Sequence, residues 1–368
     1  MENRLANTAF IQQNTDMHNI YIHVPFCAAK CRYCAFYSVA DAPDWAGYAD
    51  GVIRDIEYWA DKLGRVNAPT IFFGGGTPSI MPVETFEKIM SALRQNFDVG
   101  GTCEITIEAN PGTLDAARLG EFIAAGVNRI SIGVQSLDDE ALKFLGRRHS
   151  VQDARDLVHA AQDAKIRVSC DFMYGLPGQS ILDVRKMCRD ILGLGIQHAS
   201  LYELSVEPGT PFAAQKIQVP ANEIMAEMYD AIGEELAPVL TRYEVSNYAA
   251  PGNECRHNQN IWAGEPYIGI GPSAAGRVLI DEKWHETIIN QNGDMKINIM
   301  VGKARAMEKV ITGLRTAAGV MLSDDVRAVI DWDFVDNNPG TFIRTANSLG
   351  LVGQSIIFLD ALLPKIIA

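Results

Sequence analysis

The sequence predicts an α/β fold: a partial, six-stranded (β/α) barrel followed by a smaller C-terminal domain. Three observations predict it. Short β-rich runs alternate with helical runs six times, at intervals of about 30 residues, the rhythm of a parallel sheet with crossover helices. The residues able to do chemistry fall where those strands end, the rim on which such sheets build their sites. After about Ala250 the rhythm stops.

Residues 1–18 read as a tail, 19–245 as the barrel and 246–368 as a C-terminal cap. Ile20 to Phe26 is an apolar first strand. Trp45 to Leu63 has helical periodicity through Val52, Ile53, Ile56 and Trp59. Thr70 to Phe73 is a second strand, ending in Gly74-Gly-Gly-Thr-Pro78, and Val83 to Phe97 is a helix. Glu104 to Ile107 alternates and is β-branched; Leu114 to Ala125 is a helix stopped by Gly126; Arg129 to Val134 is a fourth strand. Ser150-Val-Gln-Asp153 and Ser180-Ile-Leu-Asp183 have the form of capping boxes opening helices. Between and after them lie strands Ile166 to Met173 and Ala199 to Val206. Beyond residue 250 the periodicity is patchily helical.

The chain has 368 residues, 48% hydrophobic and 21% charged, the balance of an ordinary globular protein with a sizeable core. A net charge of −13 argues against a general nucleic-acid binder. Seven cysteines, three of them clustered, do not make a secreted disulfide framework at this length. Met1 to Asn19 lacks an apolar signal core. No stretch approaches the roughly 20 apolar residues of a membrane span. A cytoplasmic protein is expected, with at most peripheral membrane association.

The strongest motif is Cys27-Ala-Ala-Lys-Cys31-Arg-Tyr-Cys34, on the loop after the first strand. Three clustered thiolates suit a soft metal site. A closed structural zinc site needs a fourth ligand, which the stretch lacks. On a [4Fe–4S] cube, three thiolates leave one iron open for chemistry or chelation. Gly75, Gly76 and Thr77 suit close backbone approach to a small polar ligand, although alone they would read as a tight turn. Glu108 can accept from an ammonium, Gln135 can read ribose or a carboxylate, and Arg147 is a fixed cation. Asp171 and Glu203 lie at or near further strand ends. Cys255 and His257, with Trp262 nearby, offer a thiol and an imidazole, both haem-iron ligands. Taken alone, that pair reads as structural.

Together these stretches resemble the oxygen-independent coproporphyrinogen III oxidase family of the radical S-adenosylmethionine (SAM) superfamily. The resemblance rests on Tyr21 to Cys34, Phe73 to Ser79, Glu108 to Thr113, Arg129 to Ser136, Leu145 to His149, Asp171 to Gln179 and Glu207 to Phe212. It implies a radical SAM core barrel in which Cys27, Cys31 and Cys34 hold a [4Fe–4S] cluster. It further implies that Tyr21, Tyr33, Gly75 and Glu108 line a cluster-bound SAM. Gly76, Thr77, Gln135, Arg147 and Asp171 match positions that hold a second SAM in the oxidase. The oxidase branch carries a fourth thiol two residues after the third, where this chain has Phe36. It also has a longer N-terminal arm, whereas 26 residues precede Cys27 here. Both features resemble the HemW-type haem-chaperone branch, which implies haem binding and transfer to an acceptor protein. If SAM is cleaved, a flavodoxin-type reductant is also implied. That branch carries His-Asn-x-x-Tyr-Trp; here it is His257-Asn-Gln-Asn-Ile261-Trp262, with His257 the implied haem ligand. The family's Gly-Ala-His after Gly-Ile-Gly-Pro is Ser273-Ala274-Ala275. The enzymatic alternative is oxidative decarboxylation of coproporphyrinogen III; a third is radical chemistry on another substrate.

Overall fold

Strand β1 (Asn19–Val24) is buried along almost its whole length, because helices cover one face and the other lines a concave interior. The computed structural model describes residues 17–367, so the expected N-terminal tail lies almost wholly outside the described residues. From β1 the chain winds through α1 (Trp45–Leu63), β2 (Thr70–Gly75), α2 (Val83–Asn96), β3 (Glu104–Ala109), α3 (Ala116–Ala125) and β4 (Arg129–Gln135). It continues through α4 (Asp139–Leu145), α5 (Val151–Asp163), β5 (Arg167–Tyr174), α6 (Ile181–Leu192) and β6 (His198–Glu203). Strands β1 to β6 pair in parallel in chain order. These are the six strand–helix alternations that the sequence predicts. Both capping boxes form, at Ser150 with Asp153 and at Ser180 with Asp183. Gly126 ends α3 at φ +122°, a backbone conformation that favours glycine.

Among the described residues the sheet does not close into a barrel. After α7 (Pro211–Ala214) and α8 (Asn222–Leu236), β7 (Thr241–Arg242) and β8 (Asn247–Ala249) extend it antiparallel beyond β6. The chain then crosses beneath the sheet as α9 (Arg256–Trp262) and adds β9 (Tyr267–Ile270) parallel to β1 at the other side. An antiparallel meander follows: β10 (Ala275–Ile280), β11 (Lys283–Ile289) and β12 (Met295–Ile299). The result is one twelve-stranded sheet in the order β12-β11-β10-β9-β1-β2-β3-β4-β5-β6-β8-β7. These C-terminal strands correct the patchily helical reading of the sequence beyond residue 250. One of their turns had a signal, Asn292-Gly293, where the Asn290 side chain accepts from the N–H groups of Asn292 and Asp294. The other, Asp281-Glu282, takes positive φ at both residues without a glycine and so leaves no trace in composition.

The end of the chain adds α10 (Ala304–Gly313), β13 (Val320–Met321), α11 (Asp324–Arg327), α12 (Trp332–Asp336), β14 (Phe342–Arg344), β15 (Ser348–Leu351) and α13 (Leu359–Ile366). Strands β13 to β15 form a separate three-stranded sheet. A core of its own, including Val310, Leu314, Val326 and Leu349, packs apart from the main one. Among the described residues no helix is long and apolar enough to cross a membrane.

Candidate functional site

The loop after β1 is fixed to the loop after β2 by backbone bonds. The Gly76 N–H donates to Val24 O and the Thr77 N–H to Phe26 O, each at 2.7 Å. A side chain at Gly76 would put its Cβ 2.5 Å from Phe26 O, so only glycine permits this approach. Gly75, at φ +111°, leaves room for the His23 ring. His23 Nε2 lies 3.0 Å from Tyr37 O, an acceptor only, so it carries the proton; Nδ1 then accepts from the Tyr21 hydroxyl at 3.0 Å. His23 thus ties the strand to the thiol loop, a role that no spacing in the sequence announces.

Cys27, Cys31 and Cys34 are half-buried on this loop, and none is in a disulfide. The Thr77 hydroxyl donates to Cys27 Sγ at 3.5 Å and Arg147 Nη1 to Cys31 Sγ at 3.4 Å. Arg147 also donates to Gly133 O and bonds Tyr33. Burial pushes the Cys34 thiol up, with the neighbouring thiols adding and the Phe36 N–H opposing. Sulfurs that repel one another and draw hydrogen-bond donors fit a thiolate-held cation cluster. Among the described residues, no three His, Cys, Asp or Glu side chains converge to hold a single metal ion. A [4Fe–4S] cube makes no such demand, since each thiolate meets a different iron.

A second group lies deeper, on the concave face. Tyr21, Glu108, Arg129, Asp171, Tyr202 and His257 line one cavity of about 270 Å³. Glu108, next to last in β3, accepts the Gly75 N–H at 3.0 Å. Desolvation, and then the charge of Asp171, push its pKa to about 7. Asp171, expected at or near a strand end, lies three residues before the end of β5 and accepts the Ser131 hydroxyl at 3.1 Å. Burial pushes its carboxyl up as well. Gln135 ends β4 with φ +66°, unusual for a residue with a side chain, just after a bulge. The structure therefore divides the candidate residues in two. Gly76, Thr77, Tyr33 and Arg147 gather at the thiols, whereas Tyr21, Glu108, Asp171 and His257 share the interior. Gly75 joins the two groups. Glu203 is exposed at the end of β6.

The floor of the cavity, at the N-terminal ends of the strands, is closed by α9. Glu104, at the start of β3, pairs with Arg167 at 2.8 Å and accepts the N–H groups of His257 at 2.9 Å and Arg256 at 3.2 Å. Burial would push this carboxyl up, but Arg129, the His257 N–H and Arg167 hold it below the usual range. Cys255 Sγ donates to the same carboxylate. His198 lies 2.7 Å from Ser169 Oγ and 2.8 Å from the Tyr243 hydroxyl. Glu104, Arg167, His198 and Tyr243 escaped the sequence reading, because they come from separate strands with no shared motif.

His257 is buried, stacked on Phe72 and pushed to a pKa of about 4, chiefly by burial. Its tautomer follows from its neighbours. Thr70 Oγ1 donates its one proton to Asn19 Oδ1, which also takes a proton from Asn260. The Thr70 oxygen must then accept from His257 Nδ1, 2.8 Å away. Nε2 is left with a bare lone pair, buried and, among the described residues, without a partner.

Comparison with known proteins agrees with this arrangement. Residues 21–191 match the model of the radical SAM superfamily. The haem chaperone HemW of Escherichia coli is 38% identical over 72% of this chain and 71% of its own. That of Synechocystis is 34% identical over 82% of this chain and 78% of its own. A mitochondrial radical SAM domain-containing protein 1 of Danio rerio is 32% identical over 93% of this chain and 82% of its own. The structure of coproporphyrinogen III oxidase (HemN) of Escherichia coli superposes with a TM-score of 0.78 over 95% of this chain and 89% of that one. At 19% identity that likeness speaks for the fold. The extended match to the haem chaperones, together with the radical SAM domain that carries the three thiols, shows that this chain belongs to the HemW family of the radical SAM superfamily.

Proposed function

We propose that this protein is a haem chaperone that binds haem and passes it to an acceptor haem protein. In this reading Cys27, Cys31 and Cys34 hold a [4Fe–4S] cluster. Tyr21, Tyr33, Gly75 and Glu108 receive SAM, and Gly76, Thr77, Gln135, Arg147 and Asp171 border its pocket. When bound, the cluster supplies an open iron for the amino and carboxylate groups of SAM. Glu108 offers a carboxylate to the ammonium, and Gly75 and Gly76 permit close approach. Residues 246–368 form the part that meets haem.

The observation that carries this reading is His257 Nε2. A neutral imidazole whose other nitrogen donates to a fixed acceptor is the form that ligates iron, and Thr70 holds His257 in that form. Because Nε2 is buried in a cavity of about 270 Å³, a macrocycle reaches it only when the cavity widens. Haem uptake is therefore expected to be slow and to saturate in rate at high haem. Phe36, 70% exposed where the oxidase carries a further thiol, speaks against decarboxylation.

The test is an anaerobic haem titration of cluster-loaded protein, followed by absorbance, on wild type and His257→Ala. Saturable binding that weakens at least tenfold in the variant supports the reading. Absence of haem binding in the wild type overturns it. Turnover of coproporphyrinogen III would establish the decarboxylase instead.

A further inference from the structure

The stretch Glu108-Ala-Asn-Pro-Gly-Thr113 carries a second polar side chain beside Glu108, that of Asn110. Asn110 follows β3, and its backbone carbonyl accepts both the N–H and the hydroxyl of Thr113. The turn runs through Gly112 at φ +78°. This aims the Asn110 amide between the two loops that touch the thiols. Arg147 can only donate, so the amide oxygen is the atom that faces it, and Arg147 Nη2 bonds Asn110 Oδ1. The amide nitrogen must then face Thr77, and it donates to Thr77 Oγ1 at 2.9 Å. With its oxygen accepting, the Thr77 hydroxyl points its own proton at Cys27 Sγ. The other arm of Arg147 reaches Cys31 Sγ. The guanidinium at one end fixes the orientation of the amide, and the Thr77 hydroxyl, accepting from it, has Cys27 Sγ within reach of its own proton. Gly133 is part of the arrangement: a Cβ there would lie 2.8 Å from Asn110 Oδ1 and 3.0 Å from Arg147 Nη2.

We infer that Asn110 is a positioning residue that couples Arg147 and Thr77 into one relay, so that two of the three cluster thiolates receive hydrogen bonds together. The inference rests on the reading of Cys27, Cys31 and Cys34 as cluster ligands. Its consequence is electrostatic. Adding an electron to the cluster increases the negative charge on sulfur, and donors to sulfur favour that state. A continuous relay strengthens each donor by polarising the next. The relay therefore raises the reduction potential of the cluster and makes its electron easier to supply. Thr77 and Arg147 are both turned toward the thiols.

The test is a redox titration of the reconstituted cluster with dithionite, read by electron paramagnetic resonance. Iron and sulfide content and thermal unfolding are measured on the same samples. Thr77→Val, which keeps shape and loses the donor, is expected to lower the potential at unchanged iron content. Asn110→Ala is expected to lower it further, because both arms lose their anchor, and the double variant should match Asn110→Ala alone. Thr77→Ser should restore the wild-type potential. Loaded variants that titrate with wild type, or a double variant showing the sum of the two single shifts, would overturn the relay. If Asn110→Ala fails to load, a Thr77→Val protein that titrates with wild type still overturns the relay. A wild type that takes up no cluster sinks the cluster reading and the relay with it. Haem binding, measured on separate aliquots, judges the chaperone reading on its own.

Discussion

The two ends of the parallel strands are built on opposite plans. At the C-terminal rim the chain is loop and glycine, its thiols are half-buried, and its hydrogen bonds hold sulfur and backbone within two or three adjacent loops. At the N-terminal floor the groups are charged, buried and drawn from across the sequence: Glu104 meets Arg167 and the start of α9. The rim presents reactive atoms, and the floor seals the cavity beneath them. The difference teaches that the rim is held by close loop contacts and the floor, which also carries His257, by buried charge, and substitutions at each end should separate the two.

The largest effect is expected at the floor. Glu104→Ala leaves Arg167 and the His257 and Arg256 N–H groups without their shared acceptor, in a region where Glu104 is 1% exposed. Breaking a buried pair from one side costs about 3–5 kcal/mol, to be read by urea unfolding, while cluster loading of the folded protein should be unchanged. The pH dependence has a definite sign. A carboxyl held below its ordinary pKa contributes stability that is complete above that value and is lost as pH falls through the lowered one. Wild-type stability that is flat on acidification below pH 4.5 would remove Glu104 as the anchor of the floor.

The same contrast explains what was legible in the sequence. The six strand–helix repeats are readable because the strands are short β-branched runs, several of them alternating with polar residues, and the helices are amphipathic, with caps at Ser150 and Ser180. The rim was readable because loops that must carry thiols and approach closely use Cys, Gly and Pro within a few residues. The floor was not. Glu104 and His257 are 153 residues apart, and nothing local marks a pair that only the completed sheet brings together. Asp171 reads as a site residue at or near a strand end, and only the folded sheet shows that its side chain lines the interior. Asn110 stands inside the Glu108 to Thr113 motif, but the role inferred for it depends on the direction of three hydrogen bonds, which no motif displays.

At the rim a smaller energetic cost should come with a larger chemical one. Gly76→Ala drives a methyl group against the carbonyls of Val24 and Phe26, 2.9 and 2.5 Å from its ideal position. Overpacking of this kind costs about 1–3 kcal/mol, less than the floor substitution. Yet the displaced segment is the one that carries Cys27, so iron retention after desalting should fall sharply. A Gly76→Ala protein that keeps full iron would show that the thiol loop does not depend on this contact.

The smallest expected effect lies between the two ends, at Glu108. Its carboxyl is pushed to about 7 by desolvation and Asp171, against the Gly75 N–H and Arg129. Since an unfolded glutamate titrates near 4.5, the folded protein holds this proton more tightly. The associated stability is present below 4.5 and is lost as pH rises through 7, leaving an ionised carboxylate that an incoming ammonium would neutralise. In the proposed role, SAM binding needs that ionised form. Between pH 8 and pH 6 its population falls about tenfold, so SAM affinity measured by calorimetry on cluster-loaded protein should fall about tenfold, some 1.4 kcal/mol. Glu108→Gln should bind SAM weakly at both pH values and unfold at a higher temperature than wild type at pH 8. Asp171→Asn removes the like charge facing Glu108 and should move the midpoint of the affinity profile below pH 7. A wild-type profile flat from pH 6 to 8 would mean that the ammonium is held elsewhere, and that Glu108 belongs with the sealed interior and not with the rim.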